Sequence, residues 1–251
     1  MTIGTLYGIG VGPGDPELIS VKGAAILARC LNIFVPKSTM TVESAALSIA
    51  NRYVGPGARI HELLFPMTAD ECEQSVSWKD NARAVIKVLA SGEDACFITV
   101  GDILFYSTFI YLLREVREIL PNVRVVSIPG ITAFSAAAAA LSFPIGEGRE
   151  PVTIISVSAE DTGAVREALT KKSTVILMKI GRHLPDIIDI IEAAGLLEDS
   201  VFISRAGLEG ERVETDLKKL RFLNPKAAHL SIILVHAGMV RKEQTTTATA
   251  G

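Results

Sequence analysis

Three times in this chain an apolar, strand-length run ends in a glycine turn and gives way to a helical pattern. The turns are Gly8-Ile9-Gly10-Val11-Gly12-Pro13-Gly14-Asp15-Pro16-Glu17-Leu18, Gly101-Asp102-Ile103-Leu104-Phe105-Tyr106-Ser107-Thr108, and Ile128-Pro129-Gly130-Ile131-Thr132 ahead of an alanine run. Strand, tight turn and helix in that order build open α/β sheets, which hold ligands outside the carboxyl ends of their strands. The three turns are therefore expected to line one ligand cleft.

Apolar runs at Thr5 to Gly10, Leu31 to Val35, Ile60 to Phe65, Ala95 to Val100 and Val123 to Ile128 read as strands, with helical spacing between most of them. Asp15 is placed to cap a helix that has Pro16 at its first position. Ser77 or Trp78 is expected to open a helix with Ala82, Val85, Ile86 and Leu89 on one face. This βαβ rhythm predicts a mostly parallel, helix-covered sheet.

After a helix over Ala133 to Leu141 the rhythm restarts. Strands are expected at Val152 to Val157, Thr174 to Met178, Val201 to Ser204, Val213 to Asp216 and Leu230 to His236. Only short connections fit between the last three, notably Ala206 to Arg212, so this second sheet should contain antiparallel pairs. The fold class expected is α/β, with two α/β domains and a cofactor cleft between them. The boundary is placed near Leu120 and Pro121, giving domains over 1–120 and 121–240. Residues 241–251, Thr- and Ala-rich from Gln244 on, read as a disordered tail.

With 251 residues, 49% of them hydrophobic, the chain can bury a full core, and its net charge of −3 gives no sign of a nucleic-acid surface. Three cysteines, Cys30, Cys72 and Cys96, support neither a disulfide framework nor a zinc site, which fits a reduced, cytoplasmic setting. No apolar run reaches the roughly 18 to 20 residues of a membrane span, and no secretory signal opens the chain. The four histidines lack metal-ligand spacing, so no metal is expected.

The first turn invites a dinucleotide reading, but the G-x-G-x-x-G pattern fails: counted from Gly8 the last glycine is Pro13, and counted from Gly10 it is Asp15. Proline lacks the N–H a phosphate needs, and Asp15 puts a carboxylate where the anion should sit. No G-K-[ST] follows any turn, so a nucleotide-hydrolysing phosphate loop is absent too. Gly101 can let a ligand approach the backbone and Asp102 can receive a ligand amine or hydroxyl, although a helix-capping role accounts for Asp102 equally well.

Taken together, the three turns, with Lys22-Gly23-Ala24, Phe65-Pro66-Met67-Thr68, Trp78 and Tyr106-Ser107-Thr108, make the chain resemble the tetrapyrrole (corrin/porphyrin) methylases from Leu6 to Val240. One departure is Ile103, where the family usually carries a proline, and its loss is expected to loosen that turn. The resemblance implies a homodimer that binds S-adenosylmethionine, released as S-adenosylhomocysteine, and a small-molecule tetrapyrrole. It implies Pro13, Gly101, Asp102, Phe105, Ile131 and Thr132 on the methionine side of the cofactor. Met178, Ala206 and His229 are implied around its adenosine.

Phe65 to Thr68 and Tyr106 to Thr108 point within the family to methylation of precorrin-2 or cobalt-factor II at C-20, in cobalamin biosynthesis. Alternatives of the same fold act at another carbon of a precorrin, on uroporphyrinogen III, or on RNA; a binding module without turnover is a further one. Asp15 and Tyr106 are carried as catalytic candidates for handling a proton. Lys37, Arg52, Arg149, Arg182 and Arg205 are the cations expected to meet the substrate's carboxylates.

Overall fold

The computed structural model describes residues 2–39, 41, 43–66, 68, 70–157, 162–224, 228 and 230–237. Met67, His229 and the tail lie outside them. The chain divides into two compact units, Met1–Ala136 and Ala137–Gly251.

The first unit carries a five-stranded sheet in the order β3-β2-β4-β1-β5, with β1 at Leu6–Gly10, β2 at Asn32–Lys37, β3 at Arg59–Leu64, β4 at Ala95–Thr99 and β5 at Val125–Ile128. Every pairing is parallel. The expected boundary at Leu120 and Pro121 needs correction, because β5 comes after it and is hydrogen-bonded to β1. The helices of this unit are α1 (Val21–Leu27), α2 (Ala45–Ala50), α3 (Glu71–Ala90) and α4 (Phe109–Ile119), and α5 (Ala133–Leu141) crosses the division. Strand β4 is buried at all five positions, as expected of a parallel strand covered on both faces. Phe97 from β4 packs against Phe65 and against Phe109 from α4, with ring centroids 6.0 and 5.5 Å away.

Two helix starts differ from expectation. Asp15 does cap, accepting the Glu17 N–H, but it opens only a 3-10 turn, Pro16–Leu18; α1 starts afresh at Val21 with Ser20 as its cap. Helix α3 begins six residues before Ser77. Asp70 accepts the N–H groups of Cys72 and Glu73 there, and two glutamates occupy the first turn. Ser77 and Asn81 both donate to the Leu64 carbonyl, tying α3 to the carboxyl end of β3.

The second unit holds a sheet in the order β6-β7-β10-β8-β9. Its strands are β6 (Val152–Ser156), β7 (Ser173–Met178), β8 (Ser200–Ser204), β9 (Arg212–Glu214) and β10 (Ser231–Ala237). Only β6 and β7 pair in parallel, so the expected antiparallel pairs are present. Helices α6 (Thr162–Leu169) and α7 (Leu184–Ala193) supply Val165, Ile187, Ile188 and Ile191 to a core shared with Leu177, Phe202 and Ile233. Among the described residues, no helix is long and apolar enough to cross a membrane.

Candidate functional site

In the first unit the three glycine turns are joined by their backbones. Gly12 and Gly101 form an isolated antiparallel bridge, Gly101 N–H donating to the Gly12 carbonyl at 2.7 Å and Gly12 N–H to the Gly101 carbonyl at 3.2 Å. Both are left-handed, at φ +81° and +74°, which only glycine adopts freely. The third turn approaches so closely that a Cβ on Gly130 would lie 2.1 Å from the Gly101 oxygen. The Asp102 carboxylate completes the joint: Oδ2 accepts Gly130 N–H at 3.0 Å, and Oδ1 accepts Leu104 N–H at 2.9 Å.

Asp102 is thus a cross-link between turns, which corrects its reading as a helix cap. Helix α4 starts later, where Ser107 Oγ accepts the Phe109 N–H at 3.1 Å. Ile103, where the family's proline is replaced, is buried in the core, and the Asp102 carboxylate spans the turn it sits in. The joint lies at neighbouring strands β1 and β4, whose onward connections run opposite ways along the sheet, to β2 and to β5. Such a switch point is where open α/β sheets open a crevice.

A Cβ on Gly101 would fit, in ordinary van der Waals contact with Ala133 N at 3.9 Å and Ile131 O at 4.0 Å, so Gly101 stands beside the third turn and the start of α5. Thr132 Oγ1 lies 2.8 Å from Ser135 Oγ at the start of α5. Pro13 is buried, and the Phe105 ring packs against Phe134 and Tyr106, with centroids 5.5 and 4.7 Å away. Tyr106 itself is left-handed at φ +51°. Asp15 is engaged as a cap, its Oδ1 2.8 Å from Glu17 N.

In the second unit, Met178 ends β7 and its carbonyl accepts Val157 N–H at 2.8 Å, while Ala206 is buried just beyond β8. Next to them stand three residues whose backbone sequence reasoning did not anticipate: Lys179, Arg205 and Leu230, at φ +56°, +55° and +55°. All three lie at one end of the sheet, after β7, after β8 and before β10, and Arg205 N–H donates to Leu230 O at 3.0 Å. Left-handed backbone in non-glycine residues is strained and gathers at ligand sites. Nothing in residue spacing announces it.

Four of the expected cations have local partners. Lys37 reaches Glu62 at 3.0 Å with its side chain 7% exposed, and Arg52 reaches Glu17 at 3.7 Å. Arg182 donates to His183, Arg205 donates to the Glu209 carbonyl at 2.7 Å, and Arg149 is exposed.

Two histidines are held below the usual imidazole range. Burial does this to His61, helped by the Arg59 charge, and burial does it to His236, which stacks on Phe143 at 3.8 Å. Hydrogen bonding to Asn32 keeps the Glu93 carboxyl low, with the nearby Arg59 assisting. Cys30 and Cys96 are buried free thiols, and the hydrogen bond to Cys30 together with burial pushes Cys96 up. Among the described residues, no group of three or more His, Cys, Asp or Glu could hold a metal ion.

The sequence profile of the tetrapyrrole (corrin/porphyrin) methylases matches residues 5–221. The chain is 33% identical to a cobalt-precorrin-2 C(20)-methyltransferase of Salmonella typhimurium, over 93% of this chain and 96% of that protein. It is also 33% identical to a probable cobalt-precorrin-2 C(20)-methyltransferase of Methanocaldococcus jannaschii, over 83% and 85% of the two chains. A precorrin-2 C(20)-methyltransferase from Sinorhizobium sp is 26% identical over 93% and 95%. Among solved structures, a cobalt precorrin-4 methyltransferase shares the fold with a TM-score of 0.71 at 20% identity, over 92% and 94%. A uroporphyrin-III C-methyl transferase from Thermus thermophilus, complexed with S-adenosyl homocysteine, does so at 0.64 and 17% identity, over 93% and 98%.

Proposed function

The chain belongs to the tetrapyrrole (corrin/porphyrin) methylase family, and from that premise we propose that it methylates precorrin-2 or cobalt-factor II at C-20, using S-adenosylmethionine. The observation that carries this reading is the joint of three turns around the left-handed Gly101, in a chain this similar to two proteins named for C-20 methylation of the cobalt substrate. In the first unit the cofactor's methionine side would lie along Pro13, Gly101, Asp102, Phe105, Ile131 and Thr132. In the second unit its adenosine would take Met178, Ala206 and His229. The residues present fit such a ligand: Gly101 is left-handed, and the position a Cβ would take there is free of close contacts.

S-adenosylmethionine supplies a methyl group already activated on a sulfonium. What remains for the protein is to hold donor and acceptor carbon in line and to keep water out, and positioning of this kind removes about 7 to 11 kcal/mol of barrier. Asp102 serves by fixing two turns at once rather than by exchanging a proton. The Asp15 carboxylate and the Tyr106 hydroxyl are our candidates for managing the proton released on methylation. We place the enzyme in the cytoplasm as a homodimer.

The test is incubation with S-adenosylmethionine and each tetrapyrrole, reading methyl gain by mass and its position by carbon-13 NMR. A C-20 methyl on precorrin-2 or on cobalt-factor II is expected. Methylation of uroporphyrinogen III with neither of these accepted overturns the assignment.

A further inference from the structure

Among the described residues, nine glycines and five other residues have a left-handed backbone. Of those five, Tyr106 is the aromatic one, and a bulky side chain is strained at φ +51° where a glycine would not be. Core burial does not account for it, as Tyr106 is 47% exposed.

Its surroundings indicate what the ring is for. Phe105, the preceding residue, is anchored on Phe134, so the loop is pinned by one aromatic and presents the next outward. At the same carboxyl end of the first sheet, Leu104 and Ile131 are exposed, beside the turn that Asp102 ties to Gly130. A half-exposed aromatic ring with apolar neighbours, next to a turn fixed by Asp102, suits the broad, apolar face of a macrocycle.

We infer that the ring of Tyr106, rather than its hydroxyl, is a positioning surface for the face of the tetrapyrrole, and that the left-handed backbone is retained to aim it. This inference rests on the tetrapyrrole methyltransferase reading above. It assigns Tyr106 a part in substrate alignment that is separate from proton handling.

The test compares Tyr106→Gly and Tyr106→Phe with the parent protein, using uroporphyrin, an acidic and unreactive porphyrin, as the probe and following quenching of its fluorescence. S-adenosylhomocysteine binding by calorimetry and the melting temperature are measured alongside. Tyr106→Gly should bind the porphyrin about ten-fold more weakly, the order expected for one lost aromatic stacking contact. It should melt no lower than the parent and bind S-adenosylhomocysteine as the parent does. Tyr106→Phe should restore porphyrin binding.

Undiminished porphyrin binding by Tyr106→Gly overturns the inference while leaving the methyltransferase reading in place. So does a loss in Tyr106→Phe as large as in Tyr106→Gly, which would assign the effect to the hydroxyl. A parent protein that binds no porphyrin and methylates no tetrapyrrole removes both the inference and the reading beneath it.

Discussion

Gly130→Ala and Gly101→Ala add the same methyl group on either side of one contact, and the structure predicts opposite outcomes. At Gly130 the new Cβ would lie 2.1 Å from the Gly101 oxygen and 2.7 Å from the Gly10 carbonyl carbon, so backbone must move by about 1 Å to accept it. That movement breaks the two hydrogen bonds of the Gly12–Gly101 bridge and the one from Gly130 to Asp102. With roughly 0.5 to 1.5 kcal/mol for each bond and about 1 to 3 for overpacking, the loss comes to about 2.5 to 7.5 kcal/mol. This is a large part of the about 5 to 15 kcal/mol that holds an ordinary domain together. Gly101→Ala fits the space beside it without a close contact, and its strain of about 1 to 2 kcal/mol is partly offset by a stiffer unfolded chain, leaving a loss of about 1 kcal/mol or less. The assay is urea denaturation of both variants, with S-adenosylhomocysteine titrated calorimetrically into Gly101→Ala. A markedly lower urea midpoint is expected for Gly130→Ala, and a folded protein with impaired ligand binding for Gly101→Ala. Equal midpoints in Gly130→Ala and the parent would refute the packing argument, and normal affinity in Gly101→Ala would remove that space from the site.

Acidification should destabilise the fold through His61 and His236. Both imidazoles take up a proton at lower pH in the folded chain than in the unfolded one, so stability is complete above about pH 6.5 and falls as pH drops through their depressed values; urea midpoints that stay flat from pH 7 to 5 would contradict this. Ser173 Oγ is buried without a hydrogen-bond partner among the described residues, so Ser173→Ala should leave stability unchanged or raise it by up to about 1 kcal/mol, read as a change in urea midpoint, and a clear loss would mean a missed partner. At Arg205, glycine suits φ +55° and a β-branched residue does not; Arg205→Gly should keep S-adenosylhomocysteine affinity while Arg205→Val weakens it, and calorimetry showing equal affinities would separate this strain from binding.

Strand positions were legible because each is a compact apolar run bounded by glycine, proline or polar residues, and β1 to β10 fall within a residue or two of where those runs predict them. The start of α3 was harder to see, since its first turn, Glu71-Cys72-Glu73-Gln74, is polar and shows no apolar period. An aspartate followed by two glutamates was nonetheless a usable capping signal. The partner of β5 could not be read, because the order of strands along a chain does not say which will lie side by side. Asp102 shows the same limit in the site. Its neighbours suggest a local cap, whereas the second oxygen serves Gly130, 28 residues further on. The strained conformations of Tyr106, Lys179 and Arg205 are invisible in sequence because ordinary residues occupy them, held there by contacts formed only after folding.

Strand β1, the first of its unit along the chain, ends as an inner strand between β4 and β5, the last two. The loop after it must therefore await partners encoded roughly 90 and 120 residues later, and closing such distances is the slow part of assembling a sheet. A nascent or partly refolded chain can have α3 and the β2–β3 pair in place and still offer the cofactor no seat. Ligand binding by this unit should consequently appear in one late kinetic phase, together with the protection of β1 amides from hydrogen exchange.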